Sequence, residues 1–377
     1  MKTRARQLPE RPVGKRPLAA PSIAAPHTPG RERDSNLDLL RASAIVGVVC
    51  FHVVPILGST NPLIRFFYRI GWEGVDLFFV LSGWLIGGLY WSERLKFGSV
   101  QIPRFMLRRL IRTLPPYFVG LVLAWLAVRV TDPGHRYFRW EYLVFLQNYF
   151  WKLPFFTISW SLCVEEHFYL LMPTLLLLFH RPGRWTSIGF LLLGAAPMLI
   201  RIVFQNYYLT HVQTEQVLQT HLRMEGLVIG VYLSYVRWLR PALWVKLKRL
   251  ARWLVLPALL AVSVNPYLPA VPRYLFGYTM IAGAFGVLIA AMADSPAVPL
   301  ARQRAVFYLA AWSYSIYLTH TLAMLSVKRF ELHLSMGHAG LIFATLAAVL
   351  LAGAAFHYAF ERPAFVIRDR VVPRRVA

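Results

Sequence analysis

Ten apolar segments recur along the chain, at about 37–58, 74–92, 113–130, 162–180, 185–204, 221–236, 253–265, 273–293, 305–327 and 339–360. Several are near the roughly 20 residues that a helix needs to cross a bilayer, and the seventh is short. In hydrocarbon every backbone N–H and C=O must be paired inside the protein, which leaves only helices and closed barrels as spanning structures. The two-residue alternation of barrel strands is absent. The expected fold is therefore all-α: a polytopic integral membrane helical bundle of about ten transmembrane helices. Composition agrees, because only 15% of the 377 residues are charged, against about 25% in a soluble domain.

A formal net charge of +24 would suit a nucleic-acid partner if the cations formed one patch. They fall instead in short clusters between apolar segments, the pattern of cytoplasmic membrane loops, so no nucleic acid is expected. If the N-terminus is cytoplasmic, the inside segments hold 29 Lys and Arg and the outside segments 8. That asymmetry favours ten spans with both termini cytoplasmic in the inner (cytoplasmic) membrane. No internal repeat is obvious, which disfavours repeat-built transporters. Residues 1–35 read as a disordered basic Pro-rich tail, retained because no signal-peptide core follows its charges. Residues 36–363 form the membrane domain, and 364–377 a short basic cytoplasmic tail. Cys50 and Cys163 give neither a disulfide framework nor metal spacing, and the scattered histidines suggest no metal site.

The first segment, NLDLLRASAIVGVVCFH, carries Arg41 and His52 with ten residues between them. They are about 16 Å apart along a helix and on nearly one face. Ionisable residues inside a membrane helix are costly and point to function. Two on one face at different depths suggest a site that grips something long.

Other segments add polar candidates. Asp76 sits beside Phe78 and Phe79 and needs a partner. Ser82 lies among Gly83, Gly87 and Gly88, whose small size also permits close helix approach. Arg104, Arg108 and Arg112 are four apart, with Arg109 beside them. That basic face is either a positive-inside anchor or a phosphate clamp, which paired guanidinium hydrogen bonds suit. Glu165 and Glu166 stand about one turn inside the outer boundary, at a depth similar to that of His52. Either carboxylate would fix the imidazole tautomer and leave the other nitrogen as general base; a structural pair without chemistry is the alternative. Cys163 reads as a small hydrophobe and not as a nucleophile. Tyr314, Tyr317 and His320 follow one another at spacings of three. They form either a packed polar stripe or the lining of an acceptor channel. Trp160, Ser161 and Tyr169 complete the set of substrate-side candidates. Glu361-Arg362-Pro363 reads as an inner-surface anchor.

The blocks LDLLRASAIVGVVCFH, GVDLFFVLSGWLIGG, RFMLRRLIRTLPPYF, WSLCVEEHFYLLMP and SYSIYLTH occur in the order and approximate spacing of the acyltransferase family 3 membrane proteins, which the chain resembles over about residues 37–363. The resemblance implies an integral enzyme that moves an acyl group, often acetyl, from acyl-CoA (acetyl-CoA) to a hydroxyl, commonly on a carbohydrate. It implies catalysis by His52 with Glu165, and donor binding by Arg41, Arg109 and Arg112. Cys163, His167, Leu39 and Trp84 depart from the family's usual residues, which bears on acceptor choice. With the chain ending at Ala377, a stand-alone form without a soluble esterase-like domain is expected. Other readings are a transporter or flippase of a lipid-linked saccharide, an inactive scaffold, and acylation of a small metabolite such as a macrolide sugar.

Overall fold

Apolar runs of bilayer length become helices through the described part of the chain. The computed structural model describes residues 34–57, 61–131, 138–150, 153, 155–179, 183–206, 218–334, 337–373 and 375. The expected N-terminal tail lies outside them except for its last two residues. No strand occurs among the described residues.

The first helix, α1, spans Ser35–Leu57. A short helix α2, Pro62–Gly71, follows; Asn61 caps it by accepting from the amides of Leu63 and Ile64, and Pro62 occupies its first turn. Then come α3 (Gly74–Phe97), α4 (Ile102–Thr131), α5 (Trp160–Leu178) and α6 (Arg184–Val203). Next are α7 (Glu225–Leu239), α8 (Pro241–Trp253) and α9 (Val255–Val264). The last four are α10 (Tyr278–Met292), α11 (Arg304–Leu334), α12 (His338–Phe356) and α13 (Arg362–Val371).

Among the described residues six helical runs are long and apolar enough to cross a membrane: Ser35–Pro55, Pro62–Phe97, Ile102–Val130, Arg184–Val203, Ala270–Met292 and Ala339–Val371. The protein is thus an all-helical membrane protein, and the ten expected segments are not all crossing helices by this measure. The reasons differ. At about 1.5 Å per residue, α9 with 10 residues and α7 with 15 are short for the hydrocarbon core. Helices α5 and α11 have the length, 19 and 31 residues, but are diluted by Glu165, Glu166 and His167 and by a Ser/Tyr/His stripe.

The tightest backbone approach joins α3 to α7. A Cβ on Gly83 would stand 2.1 Å from the Leu227 carbonyl oxygen, and one on Gly230 2.1 Å from that of Val80. Only glycine fits at either position, so the small-residue run of α3 is a helix–helix seam. Gly88 is different, with its nearest neighbour at 3.8 Å. On another side, α11 packs against α1 and α12.

The C-terminal residues read as a tail begin as helix α13, docked on α4. Arg108 Nη2 is 2.7 Å from Asp369 Oδ1, and Arg104 and Arg108 donate to the carbonyls of Pro373 and Val372. A wide π-type turn at His357–Glu361 precedes α13. It carries Glu361 into the interior (2% exposed), where Oε2 accepts from Ser315 Oγ at 2.7 Å and lies 2.8 Å from His357 Nδ1. Glu361 is a buried partner and not a surface anchor.

Candidate active site

Helix α11 is the spine of the site. Tyr314, Tyr317 and His320 are three residues apart, so each reaches a different neighbour about one turn higher. Tyr314 OH donates to the Thr113 carbonyl of α4 at 2.9 Å. Tyr317 OH donates to the Ile158 carbonyl at 2.8 Å and is 2.6 Å from Ser161 Oγ at the start of α5. His320 Nε2 lies 3.3 Å from His52 Nδ1 of α1.

The protonation of this histidine pair follows from its surroundings. His320 is fully buried, and its Nδ1 stands 3.1 Å from the Ile316 carbonyl and 2.8 Å from that of Tyr317. A carbonyl only accepts, so Nδ1 carries the hydrogen and Nε2 is left with a lone pair. The group that meets this lone pair must donate, which puts the hydrogen of His52 on Nδ1. The Val48 carbonyl, 2.9 Å from the same nitrogen, requires that tautomer independently. His52 Nε2 is therefore the bare nitrogen. The Phe51 ring meets the His52 imidazole edge-on at 5.0 Å between centroids.

Among the described residues no carboxylate hydrogen-bonds His52, so the expected histidine–carboxylate pair is replaced by the histidine–histidine pair. Glu165 faces α3 and α4 instead. Its Oε1 accepts from Ser82 Oγ at 3.2 Å, and its Oε2 accepts from Tyr169 OH at 2.6 Å and from Arg109 Nη2 at 3.4 Å. Arg109 also donates to the Tyr169 hydroxyl and lies 4.1 Å from that ring's centroid. One position on, Glu166 is buried beside Thr113 and within electrostatic reach of Arg109. Sequence depth was similar for all three groups; which way each side chain turns around its helix separates them.

The four predicted arginines divide. Arg108, with Arg104, binds α13 as described. Arg112 has its guanidinium carbon 5.5 Å from the Phe365 ring centroid, and the charges of Arg109, Arg41 and Glu361 all act on it. Arg41 Nη1 is 3.2 Å from Asp38 Oδ1. Arg109 keeps a buried Nε with no acceptor among the described residues. Arg41, Arg109 and Arg112 thus form one cationic group near the N-terminal end of α1, and His52 lies toward the other end.

Asp76 does not reach the histidine pair; its Oδ1 accepts from Arg223 Nη2 at 2.8 Å, and both side chains are buried. Arg223 lies 3.8 Å from the Tyr278 ring centroid and 5.3 Å from that of Trp160. Trp160 stacks on Trp72, 5.6 Å between centroids and 17° between planes. A second buried pair, Arg201 Nη1 to Glu225 Oε1 at 2.9 Å, stands nearby. Cys163 is buried, its Sγ 3.4 Å from the Ser159 carbonyl. Arg201, Arg223 and Glu225 escaped sequence reasoning because they sit at segment ends, where charges usually reach water. The unpaired Asp76 was the one signal that a buried cation had to exist.

Fold and site together define a helical membrane protein with a cationic group toward one end of α1 and a histidine pair toward the other, of which His320 is buried. The chain belongs to acyltransferase family 3: the family's acyltransferase domain matches residues 34–357. Its relatives include an unconfirmed O-acetyltransferase of Staphylococcus aureus (strain COL), 29% identical over 218 residues, 53% of this chain and 34% of the relative. The peptidoglycan O-acetyltransferase OatA of Listeria monocytogenes is 30% identical over 161 residues, 38% of this chain and 24% of the relative. The O-acetyltransferase OatA of Staphylococcus aureus (strain NCTC 8325 / PS 47) is 26% identical over 217 residues, 53% of this chain and 34% of the relative. The matches thus span between about a quarter and about a third of these relatives' length. No solved structure matches the chain.

Proposed function

We propose that this protein is a membrane O-acyltransferase. It moves an acyl group, acetyl by likeness to its relatives' names, from cytoplasmic acyl-CoA to a hydroxyl of a carbohydrate or glycosylated acceptor. The carrying observation is the 3.3 Å contact from His320 Nε2 to His52 Nδ1, which leaves His52 Nε2 free to accept a proton.

Arg41, Arg109 and Arg112 hold the donor's phosphates. The unpartnered Nε of Arg109 supports this fit, since guanidinium N–H groups bond phosphate oxygens in pairs. The rise of about 16 Å from Arg41 to His52 is bridged by the extended pantetheine arm. Glu165 and Tyr169 fix the Arg109 guanidinium; Tyr317, whose ring centroid is 5.9 Å from that of His320, positions the acceptor together with its partner Ser161 and with Trp160. As the hydroxyl oxygen bonds the thioester carbonyl carbon, its proton passes to His52 Nε2. The C–S bond breaks, and the imidazolium returns the proton to the departing thiolate. His320, neutral throughout, holds the tautomer by accepting from Nδ1. General-base help of this kind is worth about 10²–10⁴ in rate, and positioning adds to it.

The 29 to 8 excess of Lys and Arg supports cytoplasmic termini in the inner membrane, with the acceptor entering from the opposite face. Purified protein incubated with labelled acetyl-CoA and cell-envelope glycan should yield alkali-labile label on the glycan. His52→Ala should lose it by about 10²-fold or more while remaining inserted. Undiminished turnover in that variant would remove the base assignment.

A further inference from the structure

At the C-terminal end of α1 lies a cavity of about 790 Å³, lined by Phe51, by residues of α2 and the turn after it, and by residues 265–273 with Tyr278. Ligand sites commonly measure about 300–1,000 Å³. Arg65, Arg69 and Arg273 line it, and Glu73 is the one carboxylate among the lining residues. Glu73 is 3% exposed, and its Oε1 accepts from Asn265 Nδ2 at 2.6 Å. The cavity is therefore net cationic.

Arg65 and Arg69 are one turn apart on α2 and exposed. Among the described residues neither has an acidic partner. On the ten-span reading of the sequence, segments 58–73 and 265–273 belong to the face where Lys and Arg are scarce, so a positive-inside anchor does not account for them. Three of the eight cations which that reading puts on the face, Arg65, Arg69 and Arg273, line this one cavity.

The rest of the lining suits a sugar. Arg69 lies 4.9 Å from the Tyr267 ring centroid, and Tyr68 stacks on Phe51 at 5.1 Å. Aromatic rings with a polar edge offer flat faces to pyranose C–H groups. Glu73 Oε2 and Asn265 Oδ1 are buried acceptors with no donor among the described residues, which sugar hydroxyls can supply. Phe51 touches both the cavity and the His52 ring, so it is the wall between cavity and base.

We infer that this cavity is the acceptor subsite and that the acceptor is an acidic glycan. Its carboxylate or phosphate is held by Arg65 and Arg69, its rings lie on Tyr68 and Tyr267, and a hydroxyl passes Phe51 to His52. The inference rests on the acyl-transfer reading above.

Binding tests it without turnover. Full-length protein in nanodiscs of neutral lipid would be titrated with a hexuronate oligosaccharide and a phosphorylated oligosaccharide, each beside its neutral counterpart. Tryptophan fluorescence is the readout, since Trp72 lines the cavity. At least one acidic ligand should bind about tenfold more tightly than its counterpart, less so as salt rises. Arg65→Ala and Arg69→Ala should each remove about threefold of that preference. Equal affinities, no binding, or a preference that survives the double substitution would overturn the inference, as would displacement of the oligosaccharide by acyl-CoA. Intact acyl transfer without acidic preference would strike this inference alone. Acidic binding without any acyl-CoA consumption would strike only the transfer reading.

Discussion

His320 Nε2 stands 3.3 Å from His52 Nδ1, while His320 Nδ1 faces two main-chain carbonyls of its own helix. The second histidine thus acts on the first through its lone pair. His320→Ala should lower kcat by about 10²–10⁴, the range seen when a catalytic imidazole loses the group that sets its tautomer. His320→Gln, which keeps an acceptor oxygen at similar reach, should recover part of the loss. KM for acyl-CoA should hold in both, as read from initial rates with labelled acetyl-CoA. An undiminished kcat in the alanine variant would remove the role.

Arg112 and Arg108 lie four apart on α4 yet should behave differently. Arg112 carries no ion pair among the described residues, so Arg112→Ala should raise KM for acyl-CoA about tenfold or more, the loss of one charge-assisted contact. Arg108 pairs with the half-exposed Asp369. Arg108→Ala should leave that KM unchanged and lower stability by about 1 kcal/mol or less. Acyl-CoA titrations and thermal melts separate the two.

The seam between α3 and α7 predicts a steric contrast. Gly83→Ala would set a methyl 2.1 Å from the Leu227 carbonyl oxygen, whereas Gly88→Ala meets nothing closer than 3.8 Å. The first should cost about 1–3 kcal/mol and lower the melting temperature. The second should be neutral or gain slightly from helix propensity. Equal melting temperatures would show that the seam yields.

The Asp76–Arg223 pair is buried on both sides. Removing one partner leaves an uncompensated charge, at about 3–5 kcal/mol. Asp76→Leu and Arg223→Met should each reduce folded yield, and the double variant should regain most of it. If Asp76 instead gripped a substrate, its replacement would raise acceptor KM with little loss of stability.

Several residues of the candidate site were visible in the chain. Arg41, His52, Glu165 and Arg109 stand out because each is an ionisable group inside an apolar segment, where burial is costly without a purpose. Their partners were not legible. His52 lies 268 residues from His320, and Asp76 lies 147 from Arg223. No local pattern carries information over such separations. Glu165 and His52 were expected at one depth from their positions in their segments, but depth is one coordinate of three.

The amino-acid sequence by itself determined that this is a helical membrane protein and which charged groups lie inside its apolar segments. Those properties follow from hydropathy and length, because the bilayer penalises each segment separately. Tertiary structure alone decided that His320 and not a carboxylate meets His52, that Arg108 turns to α13 while Arg109 turns to Glu165, and that Arg65, Arg69 and Arg273 gather around one cavity. The reason is geometric: glycine contacts such as Gly83 against Leu227 set how close helices lie and how each is rotated, and rotation selects which side chains meet.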